Sequence, residues 1–212
     1  MEITWYGLSC FRLKAKEGVA VTDPYRPHVG FTLPRLTADI VTISHDHPGH
    51  SNAKAVKGEP KVITVPGEYE INDIFIFGVP AFHDKRNGRD RGPNTVFVFK
   101  MEDLSVCHLG DIGHVPLQAQ LDVMGTVDIL LLPVGGANAL AAAPAVETIN
   151  VVEPKIVVPM HYKTPATSLK LDPLDKFTKE IGLKKVEAQP SLKISKAQLP
   201  EETQVVILDH KG

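Results

Sequence analysis

Four apolar stretches of this chain, each short enough to be a β-strand, run directly into a histidine or an aspartate. "DIVTIS" leads into "HDHPGH", which holds His45, His47 and His50. "FGVPAF" is followed by His83, "LSVCHLG" by Asp111, and "KIVVPM" by His161. Side chains along a strand alternate between the two faces of its sheet, and the strand end belongs to the sheet edge. In a layered sheet protein the strand ends gather along one edge, where sites form from several loops. The bland alternative, an isolated and satisfied polar residue at each end, requires four coincidences.

The rest of the chain agrees with layered sheets. "EITWYG", "CFRLKAK", "GVAVTDP", "DIVTIS", "KVITV", "INDIFIFGVPAF", "TVFVFK" and "LSVCHLGD" read as strands, short and rich in aromatic or β-branched residues. The polar stretch Phe82 to Asn94 is a loop between two of them. The second half alternates. "PLQAQLDVMG" predicts a helix with Pro116 at its first position and Gly125 at its stop. "VDILLLPV" and "KIVVPM" are buried strands, and "PAVETINVVEP" between them is a short helix stopped before Pro154. "DPLDKFTKEIG" predicts a helix with Asp172 as N-cap and Pro173 at the first position, ended by Gly182. "SLKIS" and "QVVIL" are closing strands. Strands followed by βαβ units argue for an α/β (α+β) protein of mixed sheets with helices outside. With no linker, repeat or low-complexity segment, residues 1–212 are expected to form a single domain.

Composition excludes several classes. The net charge of −2 advertises no basic field for nucleic acid. Cys10 and Cys107 stand far apart, so neither a disulfide framework nor a zinc-thiolate cluster is expected. The opening residues lack a basic segment followed by an apolar core, which predicts no signal peptide and a cytoplasmic location. Residues 129–146 carry no charge over 18 positions, but Pro133, Gly135, Gly136, Asn138 and Pro144 interrupt them. A strand, a glycine turn and a helix start explain that run better than a membrane span.

His45 and His47 lie two apart in extended chain, so both imidazoles reach one side. His50 follows after Pro48 and Gly49 permit a turn. Imidazole is the commonest metal ligand, and three in six residues after a buried strand point to a metal. His108, inside an apolar run, reads instead as buried and hydrogen-bonded. His114 stands between site lining and surface, and His28 and His210 read as surface residues.

"HDHPGH", "HLGD" and "PMHY", in this order, resemble the metallo-β-lactamase superfamily, whose defining loop is His-x-His-x-Asp-His. "GEYEI", "HLGDIGH", "LLPVGG" and "PKIVVPMHYK" are similar to its small branch of hydrolases related to ascorbate-6-phosphate lactonase. The resemblance spans nearly the whole chain and implies a four-layer αββα sandwich with a metal site on one edge of the two sheets. Position by position, it implies a first metal site of His45, His47 and His83. It implies a second of His50 and His161, with Asp111 bridging both and carrying the catalytic assignment. The chain departs from the pattern at Gly49, where the family has an aspartate. Successive residues of an extended loop point apart, so Asp46 does not replace it. The second site is left with His50, Asp111 and His161, which predicts weaker second-metal binding or a single ion.

Nitrogen ligands with one carboxylate and no thiolate suit zinc, one or two ions, with manganese and iron allowed. Such an ion lowers the pKa of its water from about 15.7 to roughly 7, supplying a metal-bound hydroxide at neutral pH. The expected partner is a small-molecule substrate, ester- or lactone-like, phosphorylated forms included. No nucleic acid or membrane is expected, and a homo-oligomer is allowed. Lys85, Arg86, Arg89 and Arg91 suit an anion if they face the site, and otherwise form a solvated loop. Tyr162 and Lys163 read equally as pocket lining or as structure, and Gly135 and Gly136 as a tight turn. Two other functions stay open. One is phosphodiester cleavage, against which the near-neutral charge argues; the other is a degenerate member that binds a metal or metabolite without catalysis because of Gly49.

Overall fold

The computed structural model describes residues 1–137, 139–184 and 187–211, and of His28 the backbone alone. The expectation for the His28 side chain therefore lies outside the described residues.

β1 (Glu2–Trp5), β2 (Phe11–Lys14) and β3 (Val19–Thr22) form an antiparallel meander. Of the next four strands, β4 (Leu36–Thr37) and β6 (Val56–Lys57) pair as a small parallel ribbon. β5 (Ile40–Thr42) and β7 (Lys61–Ile63) extend the meander in parallel with β3. β8 (Gly67–Ile71), β9 (Ile74–Phe82), β10 (Pro93–Met101) and β11 (Leu104–His108) make a second antiparallel meander. Then α1 (Gln118–Met124), β12 (Ile129–Pro133), α2 (Ala142–Val152) and β13 (Ile156–Met160) add parallel strands by helical crossovers. After α3 (Leu174–Glu180), β14 (Leu192–Lys193) joins β1 and β15 (Gln204–Val205) joins β13. The first sheet has the order β14-β1-β2-β3-β5-β7 and the second β15-β13-β12-β11-β10-β9-β8.

The period-2 pattern explains the layering. Ile3, Trp5, Phe11, Leu13, Ala20 and Ile40 of the first sheet share one buried cluster with Phe97, Phe99 and Val106 of the second. Each fully buried side chain of this size contributes about 1.5–3 kcal/mol. Val21 and Val41, one residue along, face the other way into a smaller cluster with Tyr25, Val29, Phe31 and Leu36. The αββα arrangement is thus present. Its outer layer over the first sheet is built from short 3-10 turns at Pro27–Val29 and Ala53–Ala55 and from the β4–β6 ribbon. Among the described residues no helix is long and apolar enough to cross a membrane.

Local differences from the sequence expectation have physical causes. "INDIFIFGVPAF" is not one strand: Asn72 and Asp73 take φ of 53° and 61°, a tight hairpin turn between β8 and β9. The apolar alternation runs through this turn, and no glycine marks it. Asp172 does not cap α3; Pro173 occupies the cap position and Asp172 pairs with Lys176 at 2.6 Å. α1 begins after Leu117 rather than at Pro116, and Gln120 reaches back to accept the Leu117 N–H at 2.8 Å. His210 is not a bare surface group: its ring stands edge-on to Trp5 and Phe31, with centroids 6.0 and 5.1 Å away.

The topology decides where the ends go. β3, β5 and β7 are parallel, so Asp23 and the histidine loop leave the same edge of the first sheet. β9 and β11 both run antiparallel to β10, so their C-terminal ends coincide with those of β12 and β13. The Thr95 N–H donates to the Ser44 carbonyl at 2.8 Å and ties the two edges together.

Candidate metal centre

At that shared edge the structure brings His45, His47, His50, His83, Asp111 and His161 into one cluster. Three triads, His45–His47–His50, His45–His83–Asp111 and His50–Asp111–His161, each place their ligand atoms within 4.8 Å of one another. The His45 ring centroid lies 4.3 Å from that of His50 and 4.6 Å from that of His83. The Nε2 atoms of His50 and His161 lie 3.2 and 3.3 Å from the same oxygen, Asp111 Oδ2. Asp46, by contrast, is exposed and lines a neighbouring hollow with Ile43, His45, Ser51 and Thr64, outside the three triads.

Four of the five imidazoles carry a hydrogen bond at Nδ1, while His161 Nδ1 is buried with no partner among the described residues. His83 Nδ1–H donates to the Asp111 carbonyl at 2.6 Å, which leaves Nε2 as a lone pair. Ser44 Oγ–H donates to Asp23 Oδ2 at 2.6 Å, so Ser44 Oγ accepts from His45 Nδ1 at 3.0 Å. His45 Nε2 is then unprotonated, and it is buried with no hydrogen-bond partner among the described residues. His50 Nδ1–H donates to Asp23 Oδ2 at 3.0 Å. The Gly49 N–H donates to His47 Nδ1 at 3.1 Å. Buried polar groups are normally satisfied. An orphaned lone pair and two imidazoles converging on one carboxylate oxygen fit a cation between them. The donors, nitrogen with one carboxylate, suit a divalent transition metal.

Burial and the two carboxylates set the charge of each group, and His50 differs from the other rings. Burial pushes His45 down to about 4 and lowers His161 and His108, so these rings stay neutral near pH 7. Burial also works against charge on His50, but the Asp111 and Asp23 carboxylates outweigh it and raise its pKa. Burial disfavours ionised Asp111, yet the surrounding imidazoles hold its carboxyl well below the usual range. Burial disfavours ionised Asp23 too, but the hydrogen bond from His50 and the nearby imidazoles of His108, His50 and His45 together lower its pKa.

Asp23, Ser44, Ser9 and Asn94 were not singled out from the sequence. The Asn94 side chain donates to the Leu109 carbonyl and accepts the Asp111 N–H, both at 3.0 Å, fixing the turn that presents Asp111. Ser9 Oγ–H donates to Asp111 Oδ1 at 3.2 Å. Gly110, at φ 58°, packs where a Cβ would lie 2.5 Å from the Ser44 Cβ, which is why glycine precedes this aspartate. For Asp23 a signal existed: "GVAVTDP" is a fifth strand ending on a carboxylate. Hydrogen-bonded carboxylates behind ligating histidines set ring orientation and basicity. Asp23→Asn is expected to weaken metal affinity about tenfold, measured by competition against a chromophoric chelator. Unchanged affinity would show that Asp23 does not support His50.

The remaining candidates separate. His108 is fully buried, and its Nε2–H donates to the Ser9 carbonyl at 2.8 Å. His114 sits outside the cluster, bonded to the Val115 carbonyl and the Phe82 N–H. Tyr162 packs on Trp5 with centroids 5.1 Å apart. Lys163 Nζ donates to the Thr167 and Leu169 carbonyls and is a structural clamp. Gly135 does more than permit a turn: a Cβ there would lie 2.0 Å from the His161 carbonyl oxygen, so its absence lets the His161 segment pass. His161 itself takes φ 54°. The Phe82–Asn94 loop is wrapped around Asp84, whose carboxylate accepts the N–H groups of Arg86, Gly88, Asp90 and Arg91 at 2.7–3.0 Å. Arg86 pairs with Asp90, and none of Lys85, Arg86, Arg89 and Arg91 lines the cavity over the cluster.

That cavity measures about 290 Å³. It is lined by His47, Gly49, His50, His83, Asp111 and His161 together with Ala137, Leu169, Lys170 and Leu171. A larger groove of about 960 Å³, along α2, α3 and residues 201–205, lies elsewhere and gathers no histidine among the described residues.

Comparison with known proteins agrees with this geometry. A model of the β-lactamase superfamily domain matches residues 2–161 and so ends on His161. A UPF0173 protein of Pyrococcus abyssi is 31% identical over 183 residues, covering 77% of this chain and 84% of its own. A UPF0173 metal-dependent hydrolase of Pyrococcus horikoshii is 32% identical over 150 residues, covering 69% and 66%. A crystal structure from Thermotoga maritima, described as a candidate zinc-dependent hydrolase of the superfamily, is 39% identical, covers 99% of both chains and superposes with a TM-score of 0.82. With the fold, the clustered imidazoles and these relatives in agreement, the chain belongs to the metallo-β-lactamase superfamily, among its metal-dependent hydrolases.

Proposed function

We propose that residues 1–212 act as one cytoplasmic domain that hydrolyses a small ester- or lactone-like substrate, phosphorylated forms included, with zinc in the site. The observation that carries this is the set of three triads sharing His45, His50 and Asp111, with the His45 Nε2 lone pair buried and unpartnered. His45, His47 and His83 would hold a first ion, His50 and His161 a second, and Asp111 both. When bound, a divalent ion supplies hydroxide at neutral pH and polarises the substrate carbonyl. The chain's own residues do the rest. Asp23 and Ser44 orient His50 and His45. Asn94 and Ser9 orient Asp111. Leu169 and Leu171 shed water from the cavity wall.

The small cavity and the near-neutral charge favour a metabolite over a nucleic acid. Protein stripped by chelator and reloaded with zinc is expected to hydrolyse phenyl esters and simple lactones only when loaded, and to leave single-stranded RNA intact. Equal activity with and without metal would overturn the proposal. RNA cleavage by the loaded protein would replace it with the phosphodiesterase alternative.

A further inference from the structure

Leu169–Lys170–Leu171 lines the same cavity as the clustered histidines. This strap is clamped in place. Lys163 Nζ donates to the Thr167 carbonyl at 2.6 Å and the Leu169 carbonyl at 3.2 Å. Thr167 Oγ1–H donates to the Val29 carbonyl at 3.1 Å, and the Asp172 N–H to the Gly135 carbonyl at 2.8 Å. A Cβ on Gly30 would sit 2.3 Å from the Ala166 carbonyl oxygen, so the strap passes hard against the body of the protein.

Lys170 projects from this fixed support. Among the described residues it is the one cation lining the cavity, and no acidic side chain pairs with it. Leu169 and Leu171 flank it, both half-buried. Asp111 is the one carboxylate in the lining, and His50 and His161 already engage it. Gly49 adds no second one. A ligand in this cavity therefore meets histidines, an apolar pair and a single lysine ammonium. The Arg91 guanidinium reaches the outside of this lining, where it donates to the Ala137 carbonyl at 3.3 Å, which leaves the Lys170 ammonium as the point charge for one carboxylate.

We propose that Lys170 determines specificity by receiving a carboxylate borne by the substrate, remote from the bond that is cleaved, with Leu169 and Leu171 against the apolar stretch between them. The substrate class is then a small ester or lactone with a free carboxylate. This rests on the hydrolase function proposed above.

The test uses the zinc-loaded protein and two phenyl esters of equal acyl length, the monophenyl ester of glutaric acid and phenyl pentanoate. The ratio of their kcat/KM values is expected to favour the glutarate ester. In Lys170→Ala the ratio should fall about tenfold, and in Lys170→Arg it should largely recover. An unchanged ratio, or an equal loss for both esters, overturns the assignment. If the wild type cleaves neither ester, the hydrolase proposal fails on its own terms and the calorimetric Kd for glutarate decides Lys170. Binding about tenfold weaker in Lys170→Ala and restored in Lys170→Arg supports it, and equal Kd values refute it.

Discussion

Replacing His45 and His47 together by alanine is expected to strip the protein of bound metal and to lower hydrolytic kcat/KM by at least about a thousandfold. His45 belongs to two of the three triads, and His47 to one of them and to the cavity lining. Their removal takes two of the three nitrogens proposed for the first ion and leaves His83 with Asp111. It leaves the second site with only His50, Asp111 and His161, because position 49 carries no side chain. The variant should still fold. His45 is half-buried and His47 exposed, and neither belongs to a hydrophobic cluster. Elemental analysis after dialysis, with thermal melting as the check on folding, reads the outcome. An unchanged metal content in a folded variant would mean that the cluster at the sheet edge is not where metal binds.

Gly49→Asp should act in the opposite direction. The position lies in the cavity wall beside His50. A Cβ there would lie 3.1 Å from His47 Nδ1 and 3.7 Å from Val29 Cγ1, so His47 must give by a few tenths of an ångström. The introduced carboxylate adds a hard, charged ligand to the second triad. Affinity for the second ion is expected to rise about a hundredfold, with stoichiometry moving from about one to two per chain. Titration calorimetry with zinc shows this as a second resolved binding step. A single unaltered step would mean that the side chain does not reach the second site. Ester hydrolysis that appears in Gly49→Asp and is missing from the wild type would favour the degenerate, binding-only member.

Much of the architecture could be read from the residues alone because its signals are local. β5, β9, β11 and β13 announce themselves by apolar runs, and period-2 alternation separates the face of Ile40 from that of Val41. Turns that lack glycine, such as Asn72–Asp73, were hidden because a hairpin of two left-handed residues leaves the surrounding alternation intact. Asp172 lies one residue before the cap position, where its N–H is held by the Gly135 carbonyl and its side chain pairs with Lys176.

The sequence by itself determined which side chains carry the chemistry. Histidines and an aspartate at strand ends are a local property, and sheets align strand ends without further instruction. Only the tertiary structure decided what stands behind and opposite them. Asp23 supports His50 from 27 positions away, Ser9 reaches Asp111 across 102, and Lys170 joins the histidines' cavity from a strap pinned to Val29. Such partners are set by how the two sheets stack and by where glycines let backbones pass. No spacing rule along the chain encodes those distances.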